Sequence, residues 1–267
     1  MPHKPKLGQN FLVDAGAVER IAAGLGELGG RTVVEVGPGR GAITGVLAAR
    51  AARVVAIELD RELAAGLRRR FREEGAAAER VAIVEQDVLG FDFAAASAQA
   101  GERLRVVGNL PYYITSPILL KLAASHAALE LAVLMVQREV ADRVTARPGS
   151  RDYGLLSVTA QMYGPAEALF TLPPSAFSPP PQVHSTVFRW RFRPRFAELG
   201  VEEEGFLRFL RQAFAQKRKT LANNLRAAGV ASAAAVSALE KARIAAQARA
   251  ETVTPEGLAA LWRALQA

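Results

Sequence analysis

The sequence predicts an α/β fold with a mostly parallel sheet that is antiparallel at one edge, followed by a small C-terminal all-α domain. Three observations predict it. Short apolar runs alternate with helical patterns over residues 31–138, two further strand-like runs follow without a long helix between them, and the chain after Pro194 is Ala-rich and helix-favouring. A length of 267 residues suffices for one large and one smaller domain. We place the boundary near residue 200, which gives domains 1–199 and 200–267.

The first part of the chain contains apolar runs that are typical of buried strands. They lie at residues 32–36, 53–57, 81–84, 104–107 and 131–136. Segments with helical spacing of apolar residues separate them, and this alternation predicts a parallel sheet with helices on both faces. Between the last two runs, Ser116 and Pro117 predict a helix start, with Ser as the N-cap and Pro at the first helical position.

Two later runs, at residues 155–162 and 186–192, predict strands that pair antiparallel at one end of the sheet. Near the C-terminus, the sequence Thr-Pro-Glu at residues 254–256 predicts the start of a last helix. The predicted helical domain therefore extends to residue 267.

The composition is that of a soluble globular protein, because 50% of the residues are hydrophobic and 22% are charged. The chain has no cysteine, which excludes disulfides and cysteine nucleophiles, and three scattered histidines predict no metal site. We find neither a secretory signal nor an apolar run of membrane-spanning length, so we expect a cytoplasmic protein without a membrane partner. A net charge of +8 favours a polyanionic partner, nucleic acid first.

A glycine-rich loop preceded by an acidic residue follows the first predicted strand. It contains Glu35, Gly37, Gly39 and Gly41, and glycines allow the backbone to turn tightly and approach a ligand closely. Two cofactors compete for this loop. A dinucleotide, as in a nicotinamide dehydrogenase, usually requires the spacing G-x-G-x-x-G. The observed G-x-G-x-G with Glu35 before it favours S-adenosyl-L-methionine, which carries an ammonium and a sulfonium but no phosphate.

Acidic residues also end the next two predicted strands. Glu58 can accept hydrogen bonds from both ribose hydroxyls, and Asp87, followed by Val88, can accept one from an adenine amino group. The carboxyl ends of parallel strands meet at the ligand-binding edge of such a sheet. These residues strengthen the methyl-donor interpretation, although a helix cap or a solvated loop residue is the alternative for Asp87.

The fourth predicted strand runs into Asn109, Leu110, Pro111 and Tyr112. Acceptors from the Asn109 side chain and the Leu110 carbonyl could hold both protons of an adenine amine, while Pro111 makes the turn rigid. Tyr112 could stack on the ring, as in enzymes that handle an unstacked base. The alternative is a tight turn with Tyr112 in the core. The motif therefore predicts methylation of an exocyclic amine on a flat heterocycle.

Together these motifs resemble the ribosomal RNA adenine N6,N6-dimethyltransferases, and the resemblance covers essentially the whole chain. The matching segments are residues 8–12, 35–41, 109–119, 135–141, 148–154, 177–181, 214–221 and 223–225. The resemblance implies a Rossmann-like class I methyltransferase sheet in the first domain and RNA or ribosome binding by the second. It also implies that S-adenosyl-L-methionine becomes S-adenosylhomocysteine without a metal.

The same resemblance implies roles for particular residues. It implies that Asn10, Leu12, Gly37, Glu58, Asp87 and Asn109 contact the cofactor. The glycine loop and the strand ends add Glu35, Gly39 and Val88 to the predicted cofactor site. Phe177 is implied to pair with Tyr112 and sandwich the target adenine, whereas its position in a Pro-rich loop, taken alone, favours a hydrophobic plug under that loop. The implied substrate is a pair of adjacent adenosines near the 3′ end of 16S rRNA in an immature 30S ribosomal subunit, modified by a monomeric enzyme. Gln182 and His184 depart from the family, which usually has a basic residue and Asp at these positions.

The densest basic cluster predicts contacts with RNA phosphates. It comprises Arg208, Arg211, Lys217, Arg218, Lys219 and Arg226. Phosphate contacts give salt-sensitive affinity with little sequence discrimination. A solvated helix face is the alternative interpretation of this cluster.

Two other functions remain open at this point. One is methylation of a large-subunit adenine, as in the related Erm enzymes. The other is a ribosome-assembly checkpoint role, in which binding matters more than methylation. The intact glycine loop and Asn109 argue against lost catalysis.

Overall fold

A computed structural model describes residues 10–73 and 79–266. The chain divides into two compact units. The first comprises the chain up to Ala141 together with Glu167–Phe192, and the second comprises Asp142–Ala166 and the chain from Arg193 onward. The second unit thus includes Asp142–Ala166, a segment that the predicted boundary near residue 200 had assigned to the first domain.

The first unit is built around a seven-stranded sheet with the order β4-β3-β2-β5-β6-β9-β7 and a separate two-stranded ribbon of β1 and β8. The strands are β1 (Phe11–Leu12), β2 (Thr32–Val36), β3 (Arg53–Glu58), β4 (Val81–Glu85), β5 (Leu104–Asn109), β6 (Leu129–Gln137), β7 (Ala166–Leu172), β8 (Phe177–Ser178) and β9 (Ser185–Arg191). The helices are α1 (Ala15–Gly24), α2 (Ala42–Arg50), α3 (Arg61–Glu73), α4 (Phe93–Ala100) and α5 (Thr115–Ala124). A further helix, α6 (Arg138–Val144), begins just before Ala141, where the first stretch of this unit ends.

The sheet confirms the predicted mostly parallel arrangement with an antiparallel edge. Strands β2 to β6 pair in parallel, whereas β9 pairs antiparallel with β6. Every residue of β2 is buried, as expected for a central strand covered on both faces. Gly108 on β5 permits the close pairing with β2, because a Cβ there would lie 2.7 Å from the Val36 carbonyl oxygen.

The predicted strand at residues 155–162 is wrong, because this segment forms helix α7 (Leu155–Tyr163). Ser157 stabilises the start of the helix: its Oγ accepts from the Gly154 N–H at 3.0 Å and donates to the Arg143 carbonyl oxygen. These contacts override the strand propensity of the β-branched residues within the run. The neighbour of β9 at the sheet edge is instead β7, which the sequence analysis did not predict.

The predicted cap at Ser116 is also wrong, because α5 begins two residues before Pro117, the predicted first helical residue. Thr115 is its first residue, and its hydroxyl donates to the Pro111 carbonyl oxygen at 3.0 Å. Pro117 is therefore the third helical residue rather than the first. It still lies in the first turn, where its missing N–H leaves no intrahelical bond unmade.

The second unit is helical. Besides α7, it contains α8 (Glu203–Ala213), α9 (Leu221–Ala227), α10 (Ser232–Lys241) and α11 (Pro255–Gln266). Helix α11 begins at the predicted position, where the Thr254 hydroxyl accepts from the Gly257 N–H at 3.2 Å. Its Trp262 ring meets Phe206 of α8 edge to face, with 6.2 Å between the centroids. Within the described residues, none of the helices has the length and apolar character needed to cross a membrane.

Candidate active site

A cleft opens in the first unit at the carboxyl ends of the parallel strands. Its volume is about 740 Å³, including solvent at its mouth. Most of the predicted site residues line this cleft: Asn10, Leu12, Glu35, Gly37, Gly39, Glu58, Asn109, Leu110, Pro111 and Tyr112. A second cavity adjoins it, since Gly37, Glu58 and Pro111 line both, and it adds Asp87 and Val88. The folded chain thus brings the residues predicted to bind the cofactor and the segment Asn109–Tyr112, predicted to hold the target adenine, to two adjoining cavities.

The glycine loop needs its glycines for two separate reasons. At Gly39 the φ angle is +58°, and a Cβ would lie 3.0 Å from the Phe11 ring. At Gly41 the φ angle is +78°, and a Cβ would lie 2.7 Å from Leu67. Side chains at either position would therefore be strained and crowded. The loop is also held from α3, because Arg70 Nη1 donates to the carbonyl oxygens of Arg40 and Gly41 at 3.1 and 3.2 Å.

Glu58 ends β3 with its side chain almost fully buried, at 4% exposure. Its Oε2 accepts from the Gly39 N–H at 3.0 Å, and its Oε1 accepts from the Asp60 N–H at 2.9 Å. Burial raises the pKa of this carboxyl above its ordinary value, against the opposing effect of these backbone hydrogen bonds. Each oxygen carries a further lone pair, so the fixed carboxylate can accept a pair of ligand hydroxyls.

Glu35 lies in β2 before the loop and is 1% exposed. The Thr44 hydroxyl on α2 donates to its Oε2 at 2.6 Å. Burial, together with the smaller effect of the nearby charge of Glu58, raises the pKa of Glu35 to about 7, and the Thr44 hydrogen bond opposes the shift. Among the residues that the structure describes, neither Glu35 nor Glu58 forms an ion pair. A cationic ligand is therefore the natural partner for this part of the cleft.

Asp87 lies at the exposed end of the second cavity. Its Oδ1 accepts from the Leu89 N–H at 2.9 Å and caps the short 3₁₀ helix Val88–Gly90. The helix-cap role considered for Asp87 is therefore present in the structure. The cap uses one carboxylate oxygen and leaves Oδ2 as the atom to approach a ligand amine.

Asn109 and Leu110 are fixed by their own hydrogen bonds. The Asn109 Nδ2 donates to the Asn10 carbonyl oxygen at 2.9 Å, which directs the acceptor Oδ1 as the other end of the amide. The Leu110 N–H donates to the Met135 carbonyl oxygen at 3.0 Å. These contacts hold two potential acceptors at the end of β5, as the sequence predicted they would be placed.

Tyr112 is half-buried in the cleft wall rather than enclosed in the core. Its hydroxyl lies 2.8 Å from the Ser185 Oγ at the start of β9. The alternative of a core tyrosine is therefore not what the structure shows. The ring is available at the edge of the cleft that contains Asn109.

Phe177 is not among the residues that line either cavity. It is 4% exposed, pairs with Leu12 between β8 and β1, and belongs to the apolar core of the first unit. The structure thus does not bring Phe177 face to face with Tyr112. The two departures from the family, Gln182 and His184, lie on exposed positions between β8 and β9.

The predicted basic cluster lies in the second unit, mainly on the turn between α8 and α9. Exposed positions hold the whole cluster: Arg208, Arg211, Lys217, Arg218, Lys219 and Arg226. Buried Asn224 shapes this turn, since its Nδ2 donates to the carbonyl oxygens of Ala213 and Gln216 at 2.7 and 3.3 Å. Arg208 is partly neutralised by Glu204, at 3.5 Å.

Several residues of the site were missed from the sequence. Phe11 and Arg40 line the cleft, with the guanidinium 4.4 Å above the ring centroid. Apolar side chains around the second cavity, Leu59, Ile114 and Ile118, were missed as well. A usable signal existed for Leu59, because it directly follows the acidic residue at a strand end. Thr44, nine residues after Glu35, and Ser185, 73 residues after Tyr112, contact these site residues through side chains, and no sequence pattern predicts either contact.

Comparisons with known proteins agree with this geometry. Residues 2–266 match the family model described as ribosomal RNA adenine dimethylase. A ribosomal RNA small subunit methyltransferase A from Acidobacterium capsulatum is 61% identical over 264 residues, covering 99% of this chain and 92% of the relative. The relative of the same name from Koribacter versatilis is 50% identical over 274 residues, covering 98% and 94%.

Solved structures show the same fold. The 23S rRNA methyltransferase ErmE is similar with a TM-score of 0.74 and 26% identity, covering 97% of this chain and 100% of that one. A dimethyladenosine transferase from Plasmodium falciparum has a TM-score of 0.81 with 22% identity, covering 94% and 95%. At this identity, the second likeness supports the fold alone.

Proposed function

The chain belongs to the ribosomal RNA adenine dimethylase family, and from this premise we propose that it dimethylates N6 of two adjacent adenosines near the 3′ end of 16S rRNA. The methyl donor is S-adenosyl-L-methionine. The observation that carries the proposal is the shared cleft, in which the fixed Asn109 amide lies with two buried carboxylates, Glu35 and Glu58. We further propose that the chain acts as a monomer, in the cytoplasm, on an immature 30S subunit.

The residues present fit this methyl donor. Glu35 suits the ammonium and sulfonium charges, and Glu58 suits two ribose hydroxyls, because both carboxylates are buried and held by neutral donors. A Cβ at Gly39 would crowd the Phe11 ring, so the glycine leaves the loop backbone accessible to a ligand. When bound, S-adenosyl-L-methionine supplies an electrophilic methyl group on a sulfonium centre. The apolar second cavity, with Asp87 at its exposed end, is proposed to hold the adenine ring of the cofactor.

The target amine needs activation, because its lone pair is delocalised into the adenine ring. We propose that the Asn109 Oδ1 and the Leu110 carbonyl oxygen accept its two protons and favour a more tetrahedral nitrogen. Pro111 keeps these acceptors in place by restricting the turn. No general base is required, since the amine becomes acidic once it carries the new methyl group. Positioning and desolvation then supply most of the rate enhancement.

Tyr112 is proposed to stack on one face of the target base. Phe177 is the proposed second face, as the family resemblance implies. It packs against Leu12 of the cleft wall, so it reaches the base only if the β8 segment shifts when RNA binds. The basic turn of the second unit is proposed to hold RNA phosphates, which makes the affinity fall with salt.

The direct test is transfer of tritiated methyl groups from S-adenosyl-L-methionine to 30S particles from cells that lack the modification. We expect about four methyl groups per particle, mapped to two adjacent adenosines as dimethyladenosine. The variant Asn109→Ala should reduce transfer on the order of 10²-fold while leaving the fold intact, because it removes one preorganised acceptor. Its binding to 30S particles provides the control for folding.

Two outcomes would contradict the proposal. Preferred methylation of naked 23S rRNA over 30S particles would indicate an Erm-type activity. Tight binding to 30S particles without any incorporation would indicate an assembly factor that has lost methyl transfer. In the second case Gln182 and His184 would be the first positions to revert to the family residues.

A further inference from the structure

Ser185 is a buried polar residue next to the proposed site, without an assigned role. It is the first residue of β9, and its side chain is fully buried at 0% exposure. Its Oγ lies 2.8 Å from the hydroxyl of Tyr112, 73 residues earlier in the chain. A buried hydroxyl needs a hydrogen-bond partner, and here that partner is the far end of the proposed stacking ring.

The acceptors and the ring are tied to neighbouring strands of one sheet. The Leu110 N–H donates to Met135 on β6, and the Tyr112 hydroxyl meets Ser185 on β9. Strands β6 and β9 pair antiparallel, and Gln137 lies opposite Ser185, two residues beyond Met135. The sheet therefore fixes both ends of the Leu110–Tyr112 segment. As a result, the tilt of the ring is set relative to the acceptors that would hold the amine.

We infer that Ser185 is a positioning residue for methyl transfer, which holds the Tyr112 ring at the tilt needed for the target adenine to stack beside Asn109. This inference rests on the proposed function. A half-buried tyrosine that is attached only through its Cα end can change its two side-chain torsions. A hydrogen bond at the hydroxyl favours one orientation of the ring over the others. Small errors in the position of reacting groups cost rate steeply.

The second transfer to each adenine should depend on this tilt more than the first. An amine that already carries one methyl group has one proton left, so a single acceptor and the ring face must orient it. A loosened ring would therefore release more monomethyladenosine. This product ratio provides a readout that a merely structural role for Ser185 would leave unchanged.

The test compares the unmodified protein with Ser185→Ala, Ser185→Thr, Tyr112→Phe and the Ser185→Ala/Tyr112→Phe pair. Single-turnover transfer to unmodified 30S particles, the ratio of mono- to dimethyladenosine, cofactor affinity and Tm are measured for each. The matched control is Ser97→Ala, which removes a comparable bond, from the Ser97 hydroxyl to the Glu102 carbonyl oxygen at 2.7 Å, away from the cleft. Tyr112→Phe removes the same hydrogen bond as Ser185→Ala but leaves the buried residue Ser185 unchanged.

We expect Ser185→Ala and Tyr112→Phe each to slow transfer about fivefold to twentyfold and to raise the monomethyl fraction, with unchanged cofactor affinity. The pair should be no slower than either single variant, since both remove one bond, and Ser185→Thr should restore most of the rate. Normal rate and product ratio in Ser185→Ala, or fully additive losses in the pair, would overturn the inference alone. Absence of transfer by the unmodified protein would instead contradict the proposed function, and the inference with it.

Discussion

In the first unit, charged residues at the edge of the sheet where the parallel strands begin have different partners from those at the edge where the strands end. At the edge where the strands begin, acids and bases are paired. Arg31 bonds Glu102 at 2.5 Å and Glu130 at 2.9 Å, and Arg105 bonds Glu130 at 3.2 Å. The buried Arg105 also donates to the carbonyl oxygens of Leu25 and Glu27. This edge satisfies its charges within the protein.

At the edge where the strands end, the buried carboxylates have neutral partners. Glu35 is held by a hydroxyl and Glu58 by two backbone N–H groups, and burial raises the pKa of both. A buried charge without an opposite charge costs stability. The difference teaches that this edge is arranged for a cation that residues 10–73 and 79–266 do not provide. The methyl donor, with its ammonium and sulfonium, is such a ligand.

The largest expected effect comes from breaking the paired edge. Arg105→Met should lower the free energy of unfolding by about 3 kcal/mol, because two carbonyl oxygens lose their donor and Glu130 keeps only Arg31. Urea unfolding measures the loss. The matched control is Arg53→Met, an exposed residue at the start of β3, which is separated from β5 by β2, and it should change stability by less than about 0.5 kcal/mol. Equal losses in the two variants would contradict the comparison, as would weaker cofactor binding in folded Arg105→Met.

The next effect concerns the unpaired edge. Glu58→Gln should weaken binding of S-adenosyl-L-methionine about 30-fold, equivalent to about 2 kcal/mol, because the charge-assisted bonds proposed between this carboxylate and the ribose hydroxyls would be lost. The new amide also turns an N–H₂ group toward one of the backbone donors at Gly39 and Asp60. Isothermal titration calorimetry measures the affinity. Glu85→Gln is the matched control, since Glu85 lies opposite Glu58 in the register but is exposed and pairs with Arg68 at 3.1 Å. A similar weakening in the control would show that the loss is not specific to the cleft.

The cofactor edge could be predicted from sequence because its signals are local. An apolar run followed by Glu58 or Asp87 shows both a strand and the position where it ends, and parallel strands bring those ends together. The paired edge could not be predicted in this way. Arg105 lies within an apolar run, and its partner Glu130 is 25 residues away. Only the folded sheet shows that the two meet.

The errors have the same physical origin. Helix α7 was mistaken for a strand because the contact that stabilises its start comes from Arg143, 14 residues before Ser157. The base-facing role of Phe177 comes from the resemblance and stays a proposal, because in the structure Phe177 pairs with Leu12 and belongs to the apolar core of the first unit. Tyr112 was identified correctly as a cleft residue, whereas its anchor Ser185 lies on a distant strand. Local pattern thus identified residues that line the cleft and missed those that hold them in place.

The smallest expected effect is a pH dependence that has opposite signs for binding and for stability. Because the pKa of Glu35 is about 7, the fraction of its carboxylate falls about tenfold between pH 8 and pH 6, and affinity for the cationic cofactor should fall with it. Glu35→Gln should remove this part of the pH dependence and bind weakly throughout. Because the charges of Glu35 and Glu58 interact, the difference between the two titrations measures Glu35 together with its effect on Glu58.

The stability of the protein without cofactor should change with pH in the opposite direction, so that it falls as the pH rises. The folded pKa of Glu35 lies above its ordinary value of 4.5, so the folded state binds the proton more tightly than the unfolded state. The contribution of this group is therefore fully present below about pH 4.5 and is lost as the pH rises through 7. Urea unfolding of the unmodified protein relative to Glu35→Gln should show that loss between pH 5 and 8. If cofactor affinity and stability both fell as the pH was lowered, the pH dependence would reflect general acid unfolding rather than the titration of Glu35. Opposite slopes would show that the carboxylate which weakens the free protein is the one that binds the cofactor.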